Sequence, residues 1–210
     1  GEPFASLVNE GCGWGGRPEK DGNNTLCQYV GNCACQPIEV LETRFPIIHE
    51  SFSIAEGSAG AGRNRGGFGS KRQFRVECEE LRVNGFIERV KIGPYPLFGG
   101  DEGGLAGLMI ARAGGDFQTP QDAAGVACNG KFSDVVLGQG DRLVSYCSGG
   151  AGYGDPLERD LDRIAEDVLE GFVTPEQAAK DYGVAFASDG SIDAAATDRR
   201  REELRQSQAG

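Results

Sequence analysis

Ser148-Gly149-Gly150-Ala151-Gly152-Tyr153-Gly154-Asp155-Pro156 carries four glycines within six residues. So dense a run cannot hold a regular helix, because glycine has the most backbone entropy to lose; polyproline II or tight turns are its natural states. It lets one backbone lie close against another segment or a ligand, and close chain packing is the simpler reading. The same habit recurs upstream. Glycines cluster at 57–69, 99–107, 114–115 and 138–140, and 34 of the 210 residues are glycine, which argues against an ordinary helical bundle. Short alternating stretches run between the clusters, with Phe74, Val76 and Cys78 on one side and Arg75, Glu77 and Glu79 on the other. Asn84-Gly85 is a pair favoured in type I′ hairpin turns. Pro37 and Pro46 bracket an alternating run, residues 38–45, that reads as a strand or extended segment.

From residue 155 the pattern becomes helical. Leu161, Ile164, Ala165, Val168 and Leu169 fall at helical spacing on one stripe, and Gly171 can close that helix. Thr174-Pro175-Glu176-Gln177 is a helix start with a threonine cap, a proline in first position and a glutamine three after the cap. Residues 184–193 read as a small hairpin, after which Thr197 is placed to cap a last polar helix, 198–206, with a solvated or partner-bound face. The expected fold is mainly β with Gly-rich, polyproline-II-like extended segments in residues 1–154, followed by an acidic helical C-terminal region, 155–210.

The chain of 22.2 kDa has a net charge of −11 and a pI near 4.6. Between 155 and 210, 14 acids face 7 bases, so −7 of that charge lies in the helical region. Phosphate-rich partners are repelled on average, which excludes a general nucleic-acid or anionic-membrane binder. No apolar run approaches the roughly 20 residues of a membrane helix. Gly1-Glu2-Pro3-Phe4 shows no basic-then-apolar leader, so the expected location is cytoplasmic, with its seven cysteines as free thiols.

Four features carry potential chemistry. Residues 61–75 hold Arg63, Arg65, Lys71, Arg72 and Arg75 without one acid. Glycine N–H groups and forked guanidinium donors suit an anion or a partner's carboxylate; the alternative is pairing with the chain's own surplus acids. The spacing matches neither a Walker loop nor a dinucleotide fingerprint. Cys12, Cys27, Cys33 and Cys35 could close a thiolate site for zinc, although no Cys-x-x-Cys knuckle is present. His49, the only histidine, reads as a structural residue with one hydrogen-bond partner. Asp101, Glu102 and Asp116 lie among glycines and could act as bases across an interface between subunits; otherwise one histidine, no nucleophile elbow and no phosphate loop leave no complete catalytic site.

Residues 150–160, Gly-Ala-Gly-Tyr-Gly-Asp-Pro-Leu-Glu-Arg-Asp, followed by Glu-Asp-Val-Leu-Glu-Gly (166–171), Thr-Pro-Glu-Gln-Ala-Ala-Lys-Asp-Tyr-Gly-Val (174–184) and Asp-Gly-Ser-Ile-Asp (189–193), resemble the C-terminal end of the hydantoinase B/oxoprolinase family. Gly13-Trp14-Gly15-Gly16-Arg17-Pro18, Pro37-Ile38-Glu39-Val40-Leu41-Glu42 and Gly60-Ala61-Gly62-Arg63-Asn64-Arg65-Gly66-Gly67 resemble its upstream landmarks in order. The resemblance covers nearly all of this chain and the last third or so of a typical member. It implies a split subunit or fragment of a multi-subunit enzyme. Two activities stay open: hydrolysis of cyclic amides (hydantoins, 5-oxoproline or lactams), usually with ATP, and ATP-dependent carboxylation of ketones such as acetone or acetophenone. A non-catalytic assembly module of either is the third reading. The implied partners are the remainder of a hydantoinase B-like subunit, a hydantoinase A-like subunit and a small-molecule substrate, with ATP and a divalent metal bound elsewhere in the complex.

Overall fold

A computed structural model describes residues 4–27, 31 and 33–208. In chain order the elements are α1 (Ile38–Arg44), β1 (Ile47–Ile54), β2 (Ser70–Val76), β3 (Leu81–Phe86), β4 (Gly107–Ala111), α2 (Pro120–Ala124), β5 (Lys131–Leu137) and β6 (Arg142–Tyr146). A 3₁₀ turn (Pro156–Glu158) then leads into α3 (Leu161–Leu169), α4 (Pro175–Asp181) and α5 (Ala194–Gln208). Helix and strand take nearly equal shares, so the chain is mixed rather than mainly β. An antiparallel four-stranded sheet has the order β1-β2-β6-β4, and β3 pairs with β5 in a separate ribbon. Val76, Ile110, Val135, Leu137 and Leu143 join sheet and ribbon in one apolar cluster, as the alternation around Phe74 and Val76 foretells.

The glycine segments form the second structural unit, outside the assigned strands. Segments around 11–25, 58–69, 97–104 and 147–154 exchange backbone hydrogen bonds: Gly13 N to Ser148 O, Gly67 N to Trp14 O, Gly150 N to Gly67 O, Gly60 N to Gly150 O and Gly152 N to Asp101 O, all 2.7–2.9 Å. Asn64 and Tyr153 exchange both bonds, at 3.0 and 2.9 Å. A Cβ on Gly150 would lie 1.9 Å from the Trp14 carbonyl oxygen, and one on Gly152 1.7 Å from that of Ala61. Only glycine permits such approach, and residues 148–152 are all buried.

The helical region closes over this weave. Ile164, Val173, Ala178, Tyr182 and Val184 share an apolar cluster with Ala61 and Phe68, so packing crosses from the glycine-rich zone into the helical one. Gly171, at φ +74, ends α3 as its position indicates, and Thr174 and Gln177 form the expected reciprocal cap. Residues 184–193 make the expected small hairpin through the Phe186–Ile192 bridge.

Three local expectations are corrected. Residues 38–44 form α1 rather than a strand: Pro37 occupies the cap position, Glu39 and Arg44 complement the helix ends, and one buried residue, Leu41, satisfies either periodicity. Phe45, ahead of Pro46, turns extended and stops the helix. Asn84-Gly85 lies inside β3 at a register shift rather than in a turn; the Asn84 side chain accepts from the Asp134 N–H at 3.0 Å, and a Cβ on Gly85 would meet the Phe132 ring. The last helix starts earlier, with Asp193 accepting from Ala196 N at 2.9 Å, while Thr197 is buried and bonds to Ala185 N at 3.0 Å. That helix is docked rather than merely solvated, since Arg201 donates to the carbonyls of Tyr182 and Arg159 at 2.9 and 3.0 Å.

Candidate functional site

Arg65 enters the interior from the glycine weave. Its backbone N–H donates to Asp21 Oδ1 at 2.8 Å, and its Nε donates to both carboxylate oxygens of Asp167, at 3.0 and 3.1 Å. Arg159, 1% exposed, grips Asp21 with two bonds of 2.7 and 2.8 Å and reaches Asp167 Oδ2 at 2.7 Å. The Arg65 guanidinium lies 4.7 Å over the Phe68 ring, and that of Arg159 lies 5.7 Å over Tyr182. Buried charges of this kind persist only when paired and hydrogen-bonded. Burial works against the Asp21 charge, yet the Arg159 bonds, with Arg65 and Arg163 nearby, outweigh it and hold the carboxyl below the usual range. Burial pushes the Tyr182 phenol up, so it stays neutral. A cleft of about 200 Å³ beside this knot is lined by Asp21, Arg65, Arg163, Glu166, Asp167 and Phe172. With its charges paired internally and only Arg159 Nε left without a partner, the knot acts as a clasp, binding the weave to α3.

Of the basic residues in 61–75, Arg63, Arg65, Lys71 and Arg72 do not share one ligand-facing site but have separate partners. Arg63 is exposed, with its guanidinium 4.0 Å from Glu158. Arg65 is spent on Asp167, which matches the alternative reading of pairing with the chain's own acids. Lys71 and Arg72 are consecutive in β2, the first 5.5 Å over the Tyr146 ring and the second paired with Glu10 at 2.7 Å. Asp21, Arg159 and Asp167 were not singled out in the sequence; for Asp167 alone the surplus of acids after residue 155 was a visible signal.

Cys12, Cys27, Cys33 and Cys35, the thiols read as a zinc set, are not gathered into one group. Among the described residues no group of three or more His, Cys, Asp or Glu side chains is arranged to hold a metal. Cys12 is drawn instead against Cys147, whose hydrogen bond lowers the Cys12 thiol to about 7 and whose own thiol is pushed up. The Cys33 thiol donates to the Gly31 carbonyl at 2.9 Å, Cys35 is exposed and Cys27 half-buried. The donor set therefore fits neither zinc nor the divalent metal of the resemblance. His49 is buried with neither ring nitrogen hydrogen-bonded, Nδ1 lying 3.6 Å from Glu42; burial, with help from Arg72, lowers its pKa. Asp101 is pinned by its backbone, donating to Ala61 O and accepting from Gly152 N, while partial burial and the nearby Asp181 and Asp155 push its carboxyl up. Glu102 and Asp116 are exposed.

Between β3 and β4 the chain displays Phe86, Ile92, Tyr95, Leu97, Phe98 and Leu105 to solvent. Phe98 is 75% exposed, its backbone takes a left-handed φ of +54, and its ring lies tilted against that of Tyr153 with centroids 5.0 Å apart. Bonds from Leu97 N to Gly152 O and from Gly154 N to Leu97 O fasten this loop to the weave. Exposed apolar side chains grouped in one loop are what an interaction surface presents.

The family model for hydantoinase B/oxoprolinase matches residues 1–156, covering the weave, the sheet and this loop. The chain belongs to the hydantoinase B/oxoprolinase family. Over 191 residues it is 30% identical to a putative D-/L-hydantoinase of the B type from Pseudomonas sp. (strain NS671), covering 90% of this chain and 31% of that protein. It is 31% identical over 177 residues to the beta chain of the caprolactamase of Pseudomonas jessenii, covering 84% and 29% respectively. Its fold is similar to that of nucleotide-free acetone carboxylase, with a TM-score of 0.78 at 21% identity over 95% of this chain and 30% of that one. The chain thus spans about a third of the length of each of these proteins.

Proposed function

We propose that this chain is the C-terminal part of a hydantoinase B-like subunit in a multi-subunit enzyme that opens cyclic amides of the hydantoin, 5-oxoproline or lactam type. ATP use with a hydantoinase A-like partner and a cytoplasmic location belong to the same reading. The observation that carries it is the apolar strip from Phe86 to Leu105, fastened to the glycine weave and left open for the rest of such a subunit. Relatives named for hydantoin and caprolactam chemistry, at 30% and 31% identity, favour hydrolysis over ketone carboxylation. The divalent metal falls to another part of the complex, and the role of residues 1–154 is architectural, with polyproline-II-like glycine segments backing a wall of the site. The helical region, 155–210, clamps that wall. Arg63, whose guanidinium stays exposed, is the basic residue best placed for a partner's carboxylate, with Lys71 second.

The test is reconstitution with the remaining hydantoinase B-like and A-like chains, assayed for ATP-dependent opening of hydantoin, 5-oxoproline and caprolactam. Ring opening that is lost with a Tyr95→Asp, Phe98→Asp variant, together with complex formation in light scattering, is the expected result. Consumption of acetone or acetophenone with bicarbonate instead would move the assignment to a carboxylase. A complex that forms and turns over equally well without this chain would overturn the proposal.

A further inference from the structure

The weave sets two cysteines level with each other. Gly13 N donates to Ser148 O at 2.9 Å and Gly16 N to Ala151 O at 2.8 Å, so the two segments run in the same direction in one register, and that register places Cys12 opposite Cys147. Ser70 fixes both from the side. Its N–H and hydroxyl donate to Gly11 O at 3.1 and 3.0 Å, and its carbonyl accepts from Cys147 N at 2.8 Å. Cys147 is buried at 5% exposure while Cys12 is half-buried, so the side of the pair open to solvent is Cys12.

The two sulfurs differ in chemistry. As hydrogen-bond donors, the Cys147 thiol and then Ser148, through its hydroxyl and its N–H, favour the ionised Cys12 sulfur more than burial and Glu10 oppose it, so Cys12 titrates at about 7. Cys147 is held protonated by its bond to Cys12, by burial and by the Cys12 charge. One sulfur is thus a thiolate within reach of solvent, and the other is a thiol in reserve behind it. An attacking cysteine beside a resolving one is the arrangement of a thiol oxidant sensor.

We propose that Cys12 and Cys147 close into a reversible disulfide in response to hydroperoxides, a bridge that stitches the N-terminal segment of the weave to the residue following β6. The Cys12 thiolate attacks one peroxide oxygen; the S–O bond forms as O–O breaks, and the departing oxygen takes a proton from solvent and leaves as water or alcohol. The Cys147 sulfur then attacks the Cys12 sulfenic sulfur; S–S forms, S–O breaks, and the hydroxide leaves as water with the Cys147 proton. Formation of the sulfenic acid has by then removed the Cys12 charge that helped to hold that proton. The two thiols supply the two electrons that reduce the peroxide, and an external dithiol reverses the bridge. The inference does not rest on the assembly proposal, because both cysteines and their surroundings belong to this chain.

Hydrogen peroxide, added to the reduced full chain under native conditions, is the probe. After alkylation and digestion, mass spectrometry should find a linked Cys12–Cys147 peptide pair, two hydrogens lighter than its reduced parts and lost on treatment with dithiothreitol. In Cys147→Ser the sulfenic acid has no resolving partner, so dimedone should label Cys12 several-fold more than in the unmodified chain. Cys12→Ser should leave Cys147 reduced. The linked peptide is read in the unmodified chain and decides the matter where either variant fails to fold. Cys12 linked mainly to another cysteine, both thiols surviving peroxide that oxidises the exposed Cys35, or equal dimedone labelling with and without the Cys147 thiol would each overturn the proposal.

Discussion

In the glycine weave Gly150 lies against the Trp14 backbone with no room for a Cβ, whereas across β4 and β6 Ile110 and Leu143 face each other and fill their space with side chains. Each region secures a buried interior by opposite means. The weave brings main chain to main chain and adds the Arg65–Asp167–Arg159–Asp21 knot for cohesion, since glycine offers no apolar surface to bury. The sheet and ribbon rely on side-chain volume, so the two should fail differently.

The sharpest way to break this contrast is one substitution made in both regions. Gly152→Ala sets a methyl 1.7 Å from the Ala61 carbonyl oxygen and should cost more than about 4 kcal/mol, seen as loss of cooperative urea unfolding. Gly107→Ala in β4 has nothing within 4 Å and should be neutral or stabilise by up to about 1 kcal/mol. If both were tolerated, close backbone contact would not be what holds the weave.

Asp167→Ala should cost about 3–5 kcal/mol, because it leaves the buried Arg65 guanidinium without its carboxylate and takes one bond from Arg159, which keeps Asp21. Acid titration sharpens the point. Asp21 has a lowered folded pKa, so its contribution is present above its unfolded value of about 3.9 and is lost as pH falls through the folded one. Thermal midpoints should therefore fall on acidification below about pH 4, with a shallower fall in Asp21→Asn. In the sheet core Leu137→Ala should cost about 2–5 kcal/mol, graded by how far the cavity relaxes, as read from denaturant midpoints at constant slope. Smallest of all, Arg82→Ala on the ribbon surface should leave the midpoint unchanged, because its pairs with Glu80 and Asp134 are solvated.

The two regions also differed in how far the sequence could be read. Alternation around Phe74 and Val76 announced a strand, and the caps at Thr174 and Gly171 announced helix limits, because local chemistry decides them. Glycine density announced close packing but not the partners, which come from four distant segments. At residues 38–44 one buried leucine fits both periods, and only the helix ends separate them. Asn84-Gly85 fits a turn equally well as a bulge until β5 supplies the cross-strand Phe132. The clasp was legible only as a charge surplus, and nothing local marks Asp167, which sits beside the apolar stripe of α3, as buried; Leu169, read as part of that stripe, is exposed.

The clasp also orders events in time. Arg65 and Asp167 are 102 residues apart, and Asp21 and Arg159 are 138 apart, so the bonds that tie the weave to the helical region are of long range, whereas Arg159 and Asp167 are only 8 apart. Contacts of such long range repay their loop entropy late, which makes folding slow. During synthesis the segments of the weave emerge with Arg65 and Asp21 unmatched, and the interior cannot lock until α3 has left the ribosome. The sheet, with β2 and β6 already released by then, can collapse first. The nascent protein therefore passes through a stage with a formed sheet and an open, charged seam, the stage at which chaperones or a waiting subunit would have access to it.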